Sequence, residues 1–148
     1  MDPLLLRLTA VLVLLLVVAV LGRWWQQRVT SLAPVPVAVG PRVAADHLHA
    51  VGLDLTGARA GALLLGAPTC SPCGQVEQVL RTLAHERDDF RWVYADAADH
   101  LGIADDHAVR RVPTLFVLAP GGRILARTSG VPRADELRRV LDGEEQPV

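Results

Sequence analysis

Cys70 and Cys73 are the only cysteines in the 148-residue chain, and they flank a dipeptide in Cys70-Ser71-Pro72-Cys73. Two thiols at that spacing can close a small disulfide ring or open to a dithiol, so the chemistry they suggest is thiol–disulfide exchange. An apolar run, Ala62 to Leu65, precedes the pair, and a helical pattern, Gln75 to His85, follows it. The pair therefore falls on the first turn of a helix. The unpaired N–H groups and positive dipole end of that turn favour the thiolate, the form that attacks a disulfide. Cys70, just ahead of the helix, is expected to be the exposed nucleophile, and Cys73, one turn further in, the resolving thiol. Pro72 is tolerated there because its missing N–H would have no intrahelical partner. No third cysteine remains to staple the fold, so the pair reads as a working couple rather than a structural bridge.

Two other uses of these thiols stay open at the level of sequence. Cys70 and Cys73 could supply half of a zinc site completed by His47 and His49, although structural zinc wants four well-placed ligands. Alternatively the ring could be redox-inert, closing a turn in a module that only binds partners. No further group of residues suggests a metal, and no organic cofactor is expected beyond the Cys70–Cys73 couple itself. Electrons would then have to come from, or go to, another protein.

The elements that must position the pair are legible in the pattern. Ala62-Leu63-Leu64-Leu65 is continuously apolar, as expected for a strand buried on both faces. Val76, Val79, Leu80 and Leu83 recur at helical spacing, with Glu77 and Arg81 one exposed turn apart. Phe90 to Tyr94 predicts a second strand with its aromatics on one face, and Asp99 to Val109 a short helix that Asp96 could cap. Thr114 to Leu118 predicts a third strand, turned by Pro120-Gly121-Gly122 into a hairpin partner over Arg123 to Arg127. Leu137, Val140 and Leu141 give a final helix its apolar face, and Gly143 can end it. Asp46 to Val51 is a further short helix. The order β-α-β-α-β-β-α predicts an α/β fold with a mixed central sheet flanked by helices.

Ahead of that domain, Leu4 to Gly22 is apolar except for Arg7 and Thr9. As a helix it would rise roughly 28 Å, close to the ~30 Å hydrocarbon core of a bilayer. Arg7 can snorkel at one end, and Trp24 and Trp25 stand where interfacial aromatics belong. No small-residue cleavage site follows, so residues 1–28 read as a retained single-pass anchor and its flank rather than a signal peptide. Residues 29–45, with Ala33-Pro34-Val35-Pro36 and Gly40-Pro41, read as a spacer; Val35 to Val39 could also form an edge strand. Residues 46–148 then form the globular domain. Arg23 and Arg28 outweigh the N-terminal side by about one charge, which leans the domain towards the cytoplasmic face and leaves the extracytoplasmic one open. Net charge is −1, with no basic tract, so no nucleic-acid partner is expected. All fifteen basic residues are arginine and asparagine is absent, a bias that reads as GC-rich bacterial coding.

The element order, with C-x-x-C opening the first long helix, resembles the thioredoxin fold over roughly residues 55 to 142. Val112-Pro113-Thr114, directly before the third strand, is similar to the cis-proline loop of that family. Pro120 to Arg127 and Gly130 resemble its hairpin and close-approach glycine. With the anchor, the chain looks like bacterial membrane-tethered thioredoxin-like proteins. The resemblance implies a thiol–disulfide oxidoreductase acting on protein disulfides, with Cys70 and Cys73 catalytic and Thr69, Ser71 and Pro72 completing the motif. It implies that Val112, Pro113 and Thr114 line the substrate site, Val112 offering backbone groups to an extended segment. A reductase is favoured; an extracytoplasmic oxidase or cytochrome-maturation reductase is the enzymatic rival. The chain departs from the family where Thr69 replaces a tryptophan and Leu64 a buried acid that helps deprotonate the second cysteine.

The remaining polar residues carry less. His85, His100 and His107 are expected on solvated helix faces, and Phe90, Trp92 and Tyr94 in sheet packing. Asp105 and Asp106 suggest no metal. Arg110-Arg111, just before the Pro113 loop, could steer acidic partners or lower the Cys70 pKa, or be ordinary surface arginines.

Overall fold

The computed structural model describes residues 12–23, 33–34 and 41–143. The chain divides into two compact units, Met1–Ser31 and Leu32–Val148. The first contains a helix, α1, described over residues 12–23, with its leucines and valines exposed. Among the described residues no helix is long and apolar enough to cross a membrane. Of the span expected over Leu4 to Gly22, residues 12–22 are described and helical, the helix over residues 12–23 rising about 18 Å; residues 4–11, Trp24 and Trp25 lie outside the described residues. The edge strand considered over Val35 to Val39 lies outside them too.

The second unit runs β1 (Ala33–Pro34), α2 (Ala45–Ala50), β2 (Ala60–Gly66), α3 (Ser71–Glu86), β3 (Phe90–Asp96), α4 (Leu101–Asp106), β4 (Thr114–Leu118), β5 (Ile124–Ser129) and α5 (Ala134–Leu141). The strands form one mixed sheet in the order β1-β5-β4-β2-β3. β2 pairs with β3 in parallel across the α3 crossover, while β4 is antiparallel to β2 and to β5. β2 is central and buried along its whole length, which is why its sequence is continuously apolar.

Two apolar layers hold the helices to the sheet. Ala62, Leu64, Leu115 and Val117 meet Val76, Leu80 and Leu83 of α3 and Leu137 of α5. Alternate strand positions, Leu63, Leu65, Phe116 and Leu118, meet Leu48 of α2 and Ile103 of α4 on the other face. Phe90, Trp92 and Tyr94 all join the α3 layer, as their two-residue spacing requires. The Pro120-Gly121-Gly122 turn uses φ of +78° and +84° at its glycines, and the Ala119 N–H donates to Arg123 O across it at 2.8 Å.

The domain's edge differs from the expected spacer. Ala33–Pro34 pairs antiparallel with Arg127 and Ala126 of β5. Val43 is fully buried and donates its N–H to Gly122 O at 2.9 Å, and Ile124 N–H donates to Pro41 O. Parts of the 29–45 segment therefore extend the sheet, because β5 would otherwise present unpaired backbone groups at an edge. Helix α4 is also shorter than the 99–109 expected. Asp96 Oδ1 accepts the Ala98 N–H at 2.9 Å in a turn that delays the helix start, and Ala108, at φ +48°, breaks its end.

Candidate active site

Cys70 and Cys73 form a disulfide, with Cα atoms 5.4 Å apart. Cys70 is the N-cap residue of α3, in extended conformation, and Pro72 occupies the helix's first turn. The turn is built by backbone bonds: Cys70 N–H donates to Ala67 O at 3.0 Å and Cys73 N–H to Cys70 O at 3.1 Å. Cys73 is 3% exposed, whereas Cys70 is only half-buried and its neighbours Thr69, Ser71 and Pro72 are open to solvent. An attacking nucleophile needs that access, and a resolving thiol needs to be held behind it. No acidic residue stands in the first turn of α3, so nothing on the helix offsets its positive end beside Cys70. Glu77, the first carboxylate along it, is engaged by Arg81 at 2.7 Å.

Val112, Pro113 and Thr114 come to the same end of the sheet. Thr114 pairs with Leu65 of β2, five residues before Cys70, and with Ser129 of β5. The Val112–Pro113 peptide bond is cis. Gly130 N–H donates to Pro113 O at 2.9 Å, and the buried Thr114 hydroxyl donates to Arg111 O at 2.7 Å. Val112 is half-buried, and among the described residues its backbone N–H and C=O have no partner. These groups are what an incoming extended segment could pair with.

Leu64, at the position where the family resemblance implies an acid, is fully buried within the α3 layer. Tyr94 packs against that layer, close to Gly66 at the end of β2: a Cβ on Gly66 would lie 3.0 Å from the Tyr94 Cζ and Oη atoms. Burial, with Asp96 and Glu77 nearby, pushes the Tyr94 phenol above its ordinary pKa.

The histidines of the zinc alternative lie on the other face of the sheet. His47, on α2, shares a 3.0 Å contact with Asp106 Oδ2 of α4. No group of three or more His, Cys, Asp or Glu placed to hold a metal occurs among the described residues. His107 is not the solvated residue expected. Its ring packs against Phe116 in a tilted arrangement with the ring centres 5.4 Å apart, and burial holds its pKa below the usual imidazole range against the opposing pull of Asp106.

One residue of the site was not foreseen. Arg127 of β5 donates to His107 O at 2.6 Å and to Ala108 O at 3.2 Å, with its guanidinium 5.2 Å from the Phe116 ring centre. It ties the segment leading into Val112 to the sheet. In sequence it is one of fifteen arginines, and only its alternation with the buried Ala126 and Thr128 hints at which face it takes. A cavity of about 120 Å³, lined by Arg59, Arg87, Asp89 and Asp142 among others, lies at the opposite end of β2 and β3 from the cysteines.

A mixed sheet lies between helix layers, with a C-x-x-C pair capping a helix at the same end as a cis-proline loop. The thioredoxin family model matches residues 63–143, and the chain belongs to the thioredoxin family. It is 34% identical over 82 residues to monothiol glutaredoxin-4 of Schizosaccharomyces pombe, a match covering 55% of this chain and 33% of that protein. It is 30% identical over 69 residues to a thioredoxin of Porphyra purpurea, covering 46% of this chain and 64% of the relative. The chain thus spans less than two thirds of either relative. Among solved structures, a mutant thioredoxin from Halobacterium salinarum NRC-1 superposes with a TM-score of 0.53 at 27% identity, over 64% of this chain and 83% of that one.

Proposed function

We propose that the chain is a thiol–disulfide oxidoreductase that reduces disulfides of partner proteins. The observation that carries this reading is the asymmetry of the couple: Cys70 is accessible at an uncompensated helix N-terminus, and Cys73 is buried one turn behind it. In the reduced state the Cys70 thiolate attacks a target disulfide, forming a mixed disulfide and expelling one target thiolate. Cys73, deprotonated, then attacks Cys70 Sγ, closing the Cys70–Cys73 bond and expelling the second target thiolate, which takes up a proton. Two electrons pass to the target, and a separate dithiol donor must restore the couple. With Leu64 in place of an acid, the proton of Cys73 leaves to water or to the departing thiolate. Val112 pairs with the target backbone while Pro113 and Thr114 hold the loop.

The same proposal places the domain on a membrane through residues 4–22, on the cytoplasmic side. The apolar run and its flanking Trp24 and Trp25 support the tether, and the arginine balance supports the side. Two experiments test the reading. A Cys73→Ser chain should accumulate a mixed disulfide with a protein disulfide substrate, and Cys70→Ser should form none; insulin reduction by Cys70→Ser at the rate of the unchanged chain refutes the mechanism. A membrane-impermeant maleimide should label the reduced couple only after cell lysis. Labelling in intact cells overturns the cytoplasmic side, and labelling there only after added reductant points to an oxidase.

A further inference from the structure

Most arginines of the globular unit are engaged. Arg59, Arg81, Arg87, Arg133, Arg138 and Arg139 face carboxylates, and Arg42, Arg91 and Arg127 donate to backbone carbonyls. Arg110 and Arg111 do neither. Both are exposed, and among the described residues neither guanidinium has an ion pair or hydrogen bond. Their backbone is nonetheless held in place. Arg127 anchors His107 and Ala108 on one side, and the Thr114 hydroxyl anchors Arg111 O on the other. Two uncompensated cations thus stand on a fastened segment directly before Val112, whose backbone N–H and C=O are also unpartnered. The nearest carboxylates along the chain offer little relief: Asp106 is taken by His47, and no ion pair joins Asp105 to either arginine.

We propose that Arg110 and Arg111 select acidic partner segments, so that the preferred substrate is an extended disulfide-bearing stretch with Asp or Glu beside its cysteine. This rests on reading Cys70–Cys73 as an exchange site. A segment paired with Val112 would carry its neighbouring side chains past residues 110 and 111, where guanidinium forks match carboxylates. Exposed pairs of this kind contribute at most about fivefold each, so discrimination between acidic and basic substrates should reach roughly five- to twentyfold at low salt. It should shrink as the Debye length falls to about 10 Å at 0.1 M salt.

The test uses the full chain in neutral detergent with synthetic peptides whose central cysteines are flanked by Glu or by Lys. Disulfide-linked versions report kcat/KM, and cysteine-free serine versions report affinity. Both readouts should favour the Glu series by about five- to twentyfold. R110Q/R111Q should bring the ratio near one, and R110E/R111E should invert it. R123Q, which alters an unpaired arginine beyond the far end of β4, should keep the original ratio. Turnover of both substrates at equal rates overturns the inference and leaves the exchange reading standing. Binding that prefers Glu and loses the preference in R110Q/R111Q, with no turnover of either substrate, upholds the docking surface and overturns the exchange reading. No preference in either readout overturns the inference, as does a preference that R110Q/R111Q leaves intact.

Discussion

Gly66 is the last residue of β2, four residues before Cys70, and Gly66→Ala should cost stability through one side chain, Tyr94. The backbone there is not left-handed, so alanine fits its conformation. The obstacle is space: the new Cβ would overlap Tyr94 Cε2 and stand 3.0 Å from Cζ and Oη. Carbon atoms in contact normally sit about 3.5–4.0 Å apart. The half-buried ring can move towards solvent only by giving up its packing on the layer that contains Leu64 and Val76. Overpacking of this kind costs about 1–3 kcal/mol. Replacing Tyr94 by Ala removes the obstacle, and in that background Gly66→Ala should be neutral or should stabilise by roughly 0.5–1 kcal/mol, the usual gain for replacing glycine within a strand. The coupling expected between the two sites is therefore about 1–4 kcal/mol. Equilibrium denaturation of the oxidised full chain, the two single variants and the double variant measures it. Additivity within about 0.5 kcal/mol refutes the claim that the Tyr94 ring occupies the space over Gly66.

Three further outcomes are expected. Burial holds His107 below the usual imidazole pKa, so the unfolded chain takes up the proton first. Its contribution to stability is complete above about pH 6.5 and is lost as pH falls from there through the folded pKa. Denaturation between about pH 7.5 and 5.5 should show this slope in the native chain and lose it in His107→Gln; equal slopes contradict it. Arg127→Gln removes charge-assisted bonds to His107 O and Ala108 O and should cost about 1–3 kcal/mol. It should also speed hydrogen exchange at Val109 to Val112, and unchanged exchange there would show that the clamp does not order the loop. Leu80→Ala empties a fully buried position beside Leu64 and Val76 and should cost about 2–5 kcal/mol, read as a lower denaturation midpoint with unchanged slope.

How the chain reaches its thioredoxin-family fold can be followed from local rules for most of its length. Ala62 to Leu65 reads as a strand covered on both faces, and Val76, Leu80 and Leu83 as one side of a helix. Cys70 is then expected just ahead of that helix, and Cys73 one turn further in, as observed. Thr114 to Leu118 and the Pro120-Gly121-Gly122 turn likewise follow from apolar runs and turn chemistry. These readings succeed because period and punctuation act over a few residues, within reach of a linear pattern.

Contacts between distant residues obey no such pattern. Ala33 and Pro34 read as spacer, yet they cover the β5 edge, because only the assembled sheet creates an edge in need of pairing. His107 read as a surface residue on a helix extended to Val109; the chain breaks at Ala108, and the ring turns onto Phe116, nine residues away. Nothing but its alternation with Ala126 and Thr128 sets Arg127 apart from other arginines until β5 brings it against His107 O and Ala108 O. The same holds for Arg110 and Arg111, whose lack of partners emerges only once most other arginines of the domain have found theirs. Sequence by itself determined which residues could do redox chemistry and which elements carry them. Tertiary structure alone decided how the facing loop is anchored and where charge is left uncompensated, because burial and pairing depend on every neighbour in space.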